Sequence, residues 1–492
     1  MKIFIDESHA GAGKTGEAID RIVRAKGKVL FVTERRETFY ELETRMRAAA
    51  DAAKTRPIIC HIHSENHSGR GVASRIAALP GDYRPVDHVI VIITHEALLR
   101  SDFKGFAGWQ IVIDEVPRFL DFQEKRTALD AAFFQQHYEL TPFGGKWHTV
   151  TLTPTGRALT VPDVRADQSH THLDLFHARV IEASQPGPKR HVLCSLPDWT
   201  DMSDKTVAWC WASVFSLRSL DAFDRVELLG NRFRDDIGAT ISAFFDTDEI
   251  EWECLPAPIN SAQPRARSVS IHYFSDRPSA KGWFGEDAGQ AVLREVGLHL
   301  STVLPNAAIW TTNNAGRPGK PSPRELLALP DKGYLTPKQA GTNEYRGLHH
   351  AAIIYAAKPC ANLRSLLDLL DIDSNHWTRS VEFEAVLQFV TRTSIRDPNS
   401  TAPVSLWVFD REQALYLKEY FDSLPHVTAS LVRIPLAIEI PEKQKGGRKP
   451  IIRTPEQREV AKAKEREKDA ARKRESRKNK AVSVSSPSCL NS

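Results

Sequence analysis

DESHAGAGKTGEAID, residues 6–20, follows the short apolar run of residues 2–5 and leads into a stretch with helical periodicity. Gly11 and Gly13 give the backbone the freedom to curl so that its amide groups point toward phosphate oxygens. The N-terminus of the following helix adds a partial positive charge at the same place. The sequence therefore predicts a phosphate-binding loop between the first strand and the first helix of an α/β protein.

The residues of this loop predict how it would hold a nucleotide. Lys14 would reach the β- and γ-phosphates of ATP, and the hydroxyl of Thr15 would coordinate Mg²⁺. The backbone amides of the neighbouring positions would surround the phosphates. The predicted cofactor-binding residues of the loop are therefore Gly11, Ala12, Gly13, Lys14 and Thr15.

A second motif, IVIDEVPRF at residues 111–119, supplies the acidic residues that such a loop requires. It reads as an apolar strand that ends in Asp114 and Glu115. A carboxylate directly after a buried strand is placed to bind the metal ion, and the next one to activate a water molecule. We therefore predict that Asp114 binds Mg²⁺ and that Glu115 is the general base of nucleoside triphosphate hydrolysis.

The composition is typical of an ordinary globular protein of the cell interior. The chain has 492 residues, of which 41% are hydrophobic and 26% charged, and its net charge is +4. The six cysteines lie far apart in the sequence, which argues against a disulfide framework or a zinc ribbon. No apolar run approaches the roughly 18 residues that a membrane span needs. These features predict a cytoplasmic protein without a membrane partner.

Short apolar runs alternate with amphipathic stretches, which predicts an α/β architecture with mostly parallel sheets. The first series begins at residue 2, and the apolar run at 206–215 is expected to continue its sheet. A second series begins near residue 268, after a Pro-rich stretch that is typical of a linker. The predicted units are a first domain at 1–254 with an insertion at about 124–200, a linker at 255–267, a second domain at 268–440, and a basic tail at 441–492 that is flexible or helical.

With its phosphate-binding loop and its Asp-Glu pair, the chain resembles the superfamily 2 helicases of the DEAD/DEAH-box group, particularly those of phages and plasmids. The likeness covers most of residues 1–440. The resemblance implies two RecA-like P-loop NTPase domains in tandem, with ATP bound between them. It also implies an element that couples hydrolysis to domain movement, either at Ala212–Val214 or in TLTPT at 151–155.

Three stretches resemble the nucleic-acid-binding motifs of that family. VLFVTERRETFYEL at 29–42 and VIITHEALLR at 91–100 carry polar residues after a buried strand, and KQAGTNEYRGLHHAAIIYAAKPCAN at 338–362 carries them before one. Hydroxyls and amides at strand ends suit contacts to phosphates, which fix position without reading sequence. The residues that the resemblance assigns to nucleic acid are Thr33, Thr94, His95, Thr342 and Asn343.

EAVLQFVTRTSIRD, residues 384–397, resembles the family's motif of a glutamine followed by two arginines. Gln388 and Arg392 keep the family's spacing, whereas Arg396 lies one residue later, which on a helix turns a side chain by about 100°. A guanidinium at this place would stabilise the charge on the phosphoryl group during transfer. The resemblance therefore implies catalytic roles for all three residues, with Arg392 as the better match to an arginine finger.

Together these features predict an ATP-dependent helicase or translocase that acts on single-stranded or duplex DNA in the replication of a phage or plasmid. RNA is an alternative substrate, and replication proteins are expected partners. The basic tail is compatible with nucleic-acid binding and also with a solubilising role. Two other functions are compatible with the same motifs: a packaging ATPase of the phage terminase type, and an ATP-switched initiator or scaffold protein that does not move along DNA.

Overall fold

The computed structural model describes residues 1–9, 11–64, 71–127, 130–187, 189–196, 199, 207–246, 250–256, 265–313, 319–337 and 344–442. Thr342, Asn343, most of the predicted linker and nearly all of the predicted basic tail lie outside the described residues. Met1–Pro441 form one compact unit. None of the helices described is long and apolar enough to cross a lipid bilayer.

The first sheet is built from short strands of apolar and β-branched residues that are buried on both faces, as in parallel sheets covered by helices. KVLFVT, VIVIIT and WQIVID form its central strands. In chain order the elements are β1 (Lys2–Asp6), α1 (Lys14–Arg24), β2 (Lys28–Thr33), α2 (Phe39–Ala53), β3 (Ile58–His61), α3 (Val72–Asp82), β4 (Val89–Thr94), α4 (His95–Arg100) and β5 (Trp109–Asp114).

An antiparallel sheet follows β5 and is inserted into this first α/β unit. Its elements are β6 (Leu120–Thr127), α5 (Ala131–His137), β7 (Tyr138–Gly144), β8 (Trp147–Leu152), α6 (Pro154–Ala158), α7 (Val161–Ala166), α8 (Asp174–Ala183), β9 (Arg190–Cys194) and β10 (Val207–Phe215). The strands pair in the order β6–β10–β9–β8–β7. The expectation that the run at 206–215 continues the parallel sheet is therefore wrong, because β10 pairs antiparallel with β6 and β9.

The chain returns to the parallel sheet through a strand that the apolar pattern did not predict. β11 (Arg225–Leu229) lies between β1 and β5, α9 (Ile237–Asp246) follows it, and β12 (Glu251–Cys254) is added beside β1. The strand order is β12–β1–β11–β5–β2–β4–β3, and neighbouring strands are parallel. The carboxyl ends of β1 and β5 are thus at the same edge of the sheet, where α/β proteins bind ligands.

A second parallel sheet follows, with strand order β14–β15–β16–β13–β17. Its elements are β13 (Arg267–Ser275), α10 (Lys281–Phe284), α11 (Asp287–Val303), β14 (Ile309–Thr312), α12 (Pro323–Leu327), β15 (His350–Ile354), α13 (Ala361–Leu369), α14 (Ser374–Trp377), α15 (Glu384–Val390), β16 (Val404–Asp410), α16 (Arg411–Asp422) and β17 (Val427–Arg433). The prediction of an α/β protein with two parallel-sheet units in tandem is confirmed. We call the units of the first and second parallel sheets the first and second lobes.

A buried core joins the inserted sheet to the second lobe. The sheet and α9 contribute Leu120, Trp147, Leu193, Cys210, Ala212, Val214, Ile237 and Ile241, and the second lobe contributes Leu363, Leu366, Leu367, Leu370 and Ile372. At its edge the indole Nε1 of Trp147 donates a hydrogen bond of 3.1 Å to the hydroxyl of Ser365. Separating α13 from the inserted sheet would expose these apolar side chains to water, which is unfavourable.

Replacement of Leu367 by alanine tests this joint core. Leu367 is fully buried, so Leu367→Ala should lower the free energy of unfolding by about 2–5 kcal/mol through lost burial and the cavity left behind. Urea denaturation followed by circular dichroism measures the change. Leu298→Ala is the matched control, because Leu298 is 62% exposed on α11 and its loss should cost less than about 0.5 kcal/mol. Equal unfolding midpoints for the two variants would contradict the packing described.

Candidate active site

The loop between β1 and α1 has the conformation that the sequence predicts for phosphate binding. Gly11 and Gly13 have φ angles of 83° and 94°, in the left-handed region that side-chain-bearing residues rarely adopt. Gly13 directly precedes α1, so the backbone amides of the helix N-terminus open onto the loop. Lys14 Nζ donates to the carbonyl oxygens of Ser8 at 2.5 Å and His9 at 3.1 Å, which curls the loop around the lysine.

Thr15 and Asp114, which are far apart in sequence, meet at this edge of the sheet. The hydroxyl of Thr15 donates to both carboxylate oxygens of Asp114, each at 3.0 Å. Burial raises the pKa of Asp114 to about 7, and the charge of Glu115 adds to the effect, while the bond from Thr15 opposes it. A hydroxyl beside a carboxylate is a ligand set that Mg²⁺ accepts, so these two residues fit the predicted metal site.

Acidic groups surround the amine of Lys14. Burial lowers the pKa of Lys14, and the carboxylates of Glu115, Asp6, Asp114 and Glu384 oppose that shift. Glu384 belongs to α15 of the second lobe. Carboxyl groups from both lobes therefore surround the amine of Lys14.

Glu115 has an unusual backbone conformation. Its φ angle is 67°, a left-handed value that costs a residue with a Cβ atom about 1–2 kcal/mol. Its N–H donates to the carbonyl oxygen of Leu229 at 2.9 Å. Its carboxylate Oε2 accepts a hydrogen bond of 3.3 Å from Gln388 Nε2. Two predicted catalytic residues from opposite lobes are thus in contact.

The second lobe forms the opposite wall of the cleft through α15 and the residues after it. The lining residues are Gly11, Gly13, Lys14, Thr15, Gly16, Thr33, Glu34, Thr38, Glu41, Leu42, Arg45, Asp114, Glu115, Leu229 and Asn231 from the first lobe, with Glu384, Gln388, Thr391 and Arg396 from the second. The cavity therefore lies between the lobes. It is lined by residues of the phosphate-binding loop, by Asp114 and Glu115, and by Gln388 and Arg396 of the second lobe.

The two arginines differ from their expected arrangement. α15 ends at Val390, and Arg396 lies in a short 3₁₀ turn, so the helical phase used to compare the arginines does not apply. Arg396 lines the cleft. Arg392 is only 3% exposed; burial lowers its pKa to about 10, with the neighbouring charge of Arg396 adding to the shift. Its Nε and Nη1 have no hydrogen-bond partner among the described residues.

The loop at 230–237, which follows β11, connects the lobes beside the cleft. Asn231 Nδ2 donates to Glu384 Oε1 at 3.2 Å, and the backbone N–H of Ile237 donates to Ser380 Oγ at 2.8 Å. His376 Nε2 lies 2.8 Å from the carbonyl oxygen of Asp235 and donates to it. These bonds attach the loop after β11 to residues 376–384 of the second lobe, just before Gln388.

Neither of the segments expected to couple the lobes occupies this place. Ala212–Val214 lie in β10 and are fully buried, and Ser213 accepts a hydrogen bond from Arg190. Residues 151–155 belong to the end of β8 and the start of α6, in the inserted unit. The loop at 230–237 was missed because its only local signal is a short apolar run, VELL at 226–229, followed by Gly-Asn.

The predicted nucleic-acid residues of the first lobe are only partly available for such contacts. Thr33 is buried, and its hydroxyl shares a hydrogen bond of 3.1 Å with that of Thr38. Thr94 caps α4, accepting a bond of 3.2 Å from the backbone N–H of Ala97. His95 is 8% exposed, and its Nε2 donates to the carbonyl oxygen of Asp114 at 2.9 Å. Burial lowers the pKa of His95 to about 4, so a neutral, inward-facing ring stands where a phosphate contact was expected.

Glu384 is the carboxylate through which the second lobe approaches the acid pair. Burial raises its pKa to about 7, and the charges of Glu115 and Asp236 add to the shift. The bonds that it accepts from Asn231 Nδ2 and from the hydroxyl of Tyr416, each at 3.2 Å, stabilise it in place. The folded protein therefore keeps a proton on this group at pH values where the unfolded chain has lost it.

Likeness to known proteins is confined to solved structures, since no family model and no curated protein matches the sequence. Xpd4 of S. tokodaii is 12% identical with a TM-score of 0.44, covering 87% of this chain and 96% of that one. An XPD helicase is 10% identical with a TM-score of 0.46, covering 88% and 96%. A Dbp5 variant of S. cerevisiae bound to RNA and ADP–BeF3 is 10% identical with a TM-score of 0.34, covering 88% and 85%. Likeness at this level does not assign an activity.

The raised pKa of Glu384 predicts a specific pH dependence of stability. Because the folded state holds the proton more tightly than the unfolded state, Glu384 should reduce stability as pH rises from about 4.5 to about 7. Glu384→Gln removes this titration and keeps a polar side chain for Asn231 and Tyr416. The stability of the variant relative to the wild type should therefore increase between pH 5 and pH 7.5, measured by urea denaturation.

Glu139→Gln provides the control for this experiment, because Glu139 is exposed on β7. Its stability relative to the wild type should change little over the same pH range. A Glu384→Gln variant that behaved in the same way would show that Glu384 is an ordinary, ionised carboxylate in the folded protein.

Proposed function

We propose that the protein is an ATP-dependent nucleic-acid helicase or translocase that hydrolyses ATP between its two lobes. The observation that carries the proposal is the composition of the cleft. Its first wall contains Gly11, Gly13, Lys14 and Thr15 of the loop with Asp114 and Glu115, and its second wall contains Gln388 and Arg396. A nucleotide bound to the loop would contact both lobes at once, so its hydrolysis would change how they are held together.

The first wall supplies binding and water activation. The phosphates would lie at the N-terminus of α1, where the loop amides and Lys14 face them. Thr15 and Asp114 would hold Mg²⁺, which neutralises phosphate charge when it is bound. Glu115 would accept a proton from the attacking water. Gln388 Nε2, which lies 3.3 Å from the Glu115 carboxylate, would orient that water.

The second wall supplies positive charge for the phosphoryl group in transfer. The guanidinium of Arg396 lines the cleft, and that of Arg392 is buried with two nitrogens that lack a partner among the described residues. Buried guanidinium nitrogens without an acceptor are unfavourable, and a phosphate oxygen is a suitable acceptor for them. We therefore extend the catalytic proposal to both arginines, without ranking them by spacing.

The loop at 230–237 would pass the state of the nucleotide to the second lobe. It begins at the end of β11, beside the phosphate-binding loop, and its residues Asn231 and Ile237 bond to Glu384 and Ser380. From the resemblance of the sequence motifs, we propose that the protein moves along DNA and acts in the replication of a phage or plasmid. RNA is the comparison substrate in the assay.

ATP hydrolysis by the purified chain, with and without single-stranded DNA or RNA, tests the proposal. We expect the nucleic acid to increase kcat. Lys14→Ala should abolish hydrolysis, because the phosphates lose the positive charge of the Lys14 side chain. Glu115→Gln should lower kcat by about 10²-fold or more while ATP binding persists, since only proton transfer is removed. Lys26→Ala, at an exposed lysine just after α1, is the control and should match the wild type.

A rate that neither DNA nor RNA changes would exclude a nucleic-acid motor and favour the switch or scaffold alternative. Hydrolysis that survived in Lys14→Ala would show that the loop at 11–15 is not the nucleotide site.

Substitution of the arginines tests the contribution of the second lobe. Arg396→Ala and Arg392→Ala should each lower kcat by about 10³-fold, the lower end of the range for arginine fingers. The affinity for ATP should change less than kcat, because the guanidinium acts mainly on the charge of the transition state. Arg411→Ala, at an exposed arginine of α16 in the same lobe, is the control. A normal kcat in both arginine variants would place hydrolysis in the first lobe alone.

A further inference from the structure

We propose that His95 is a positioning residue for Glu115. Its imidazole holds the peptide group between Asp114 and Glu115, and the orientation of that group sets the direction of the Glu115 side chain. The inference rests on the proposed function in one respect, namely that Glu115 is the general base. It replaces the expected contact of His95 with nucleic acid, which the burial of the ring does not permit.

The peptide group between Asp114 and Glu115 is held at both of its polar atoms. Its N–H, which belongs to Glu115, donates to the carbonyl oxygen of Leu229 at 2.9 Å. Its carbonyl oxygen, which belongs to Asp114, accepts a hydrogen bond of 2.9 Å from His95 Nε2. The first bond comes from β11 and the second from the far side of β5. Together they fix the rotation of the peptide plane.

This rotation matters because Glu115 has a φ angle of 67°. Residues with a Cβ atom keep such an angle only where the surrounding structure holds it. If the bond from His95 is lost, the peptide is free to rotate toward the extended conformation that glutamate prefers. The carboxylate would then leave the position at which Gln388 Nε2 contacts it.

The order of the strands allows His95 to reach this peptide. β4, which ends just before His95, is not a neighbour of β5, because β2 lies between them. The pairing of β2 with β5 ends at Val32 and Ile113, one residue before Asp114. His95 therefore reaches past the end of β2 to the last carbonyl of β5. Since the ring is buried, water competes little for that carbonyl.

The same junction connects the proposed hydrolysis site to a residue that the sequence resemblance assigns to nucleic acid. Thr94, which precedes His95, caps α4 through its hydroxyl, and the sequence motif assigns it to nucleic acid. A displacement of Thr94 and the start of α4 would move His95 and with it the peptide of Glu115. Loss of His95 should therefore reduce the stimulation of hydrolysis by nucleic acid as well as the basal rate.

Three variants of the full chain test the inference by steady-state ATP hydrolysis. His95→Phe keeps a ring of similar size without a donor, and His95→Gln keeps a donor nitrogen at similar reach. His88→Phe is the matched control, because His88 Nε2 also donates to a backbone carbonyl, that of Ile22 at 3.0 Å, outside the cleft. We expect His95→Phe to lower kcat about tenfold or more with KM for ATP nearly unchanged. The kcat of His95→Gln should be close to that of the wild type, and His88→Phe should match the wild type.

The outcome with Glu115→Gln separates positioning from a general structural role. In that background His95→Phe should have no further effect, because the base that it positions is gone, whereas an additive loss would contradict the inference. Equal kcat in His95→Phe and the wild type, or equal losses in His95→Phe and His95→Gln, would also overturn it.

A crystal structure of His95→Phe keeps this test independent of the proposed function. If the wild-type protein hydrolyses no nucleoside triphosphate, the proposed function fails, but the conformation of the 114–115 peptide is still measurable. We expect Glu115 to leave the left-handed region in the variant. An unchanged peptide, with φ near its present value, would overturn the positioning role whatever the activity.

Discussion

The pair of hydrogen bonds from Thr15 to Asp114 joins the two elements on which the cleft depends, the first helix and the last strand before the insertion. Around this pair, Asp6 and Glu115 at the sheet edge and Glu384 from α15 lie near Lys14. Like charges at such short range are tolerable only when some of them are neutralised. Burial raises the pKa values of Asp114 and Glu384 to about 7, so a proton on either group would lower this repulsion. A bound cation would replace such a proton.

The parts of the fold that are encoded locally could be predicted from the sequence. The strand, glycine-rich loop and helix of residues 2–24 are contiguous, and their φ requirements are visible as Gly11 and Gly13. The placement of β10 and β11 could not be predicted in this way, because both are apolar runs and the choice of neighbouring strand depends on contacts far away in sequence. The longer run, Val207–Phe215, was the more conspicuous and joined the inserted sheet. The short β11 took the central place beside β1.

The candidate site shows the same division between local and distant information. Gln388, which was singled out by its resemblance to the family motif, contacts Glu115, and its catalytic role stays a prediction. The comparison of Arg392 with Arg396 failed because it assumed a continuous helix, whereas α15 stops at Val390. His95 was misjudged for another reason: a polar residue after a strand can face solvent or the neighbouring strand end, and the sequence carries no sign of which.

The inserted sheet has a mechanical consequence for the lobes. At its base, Phe119 and Phe215 belong to the core of the first lobe, and at its outer face Trp147 and Leu193 share a core with α13 of the second. Pulling the lobes straight apart would break one of these cores. A relative movement of the lobes that keeps both cores packed must therefore leave α13 in contact with the inserted sheet.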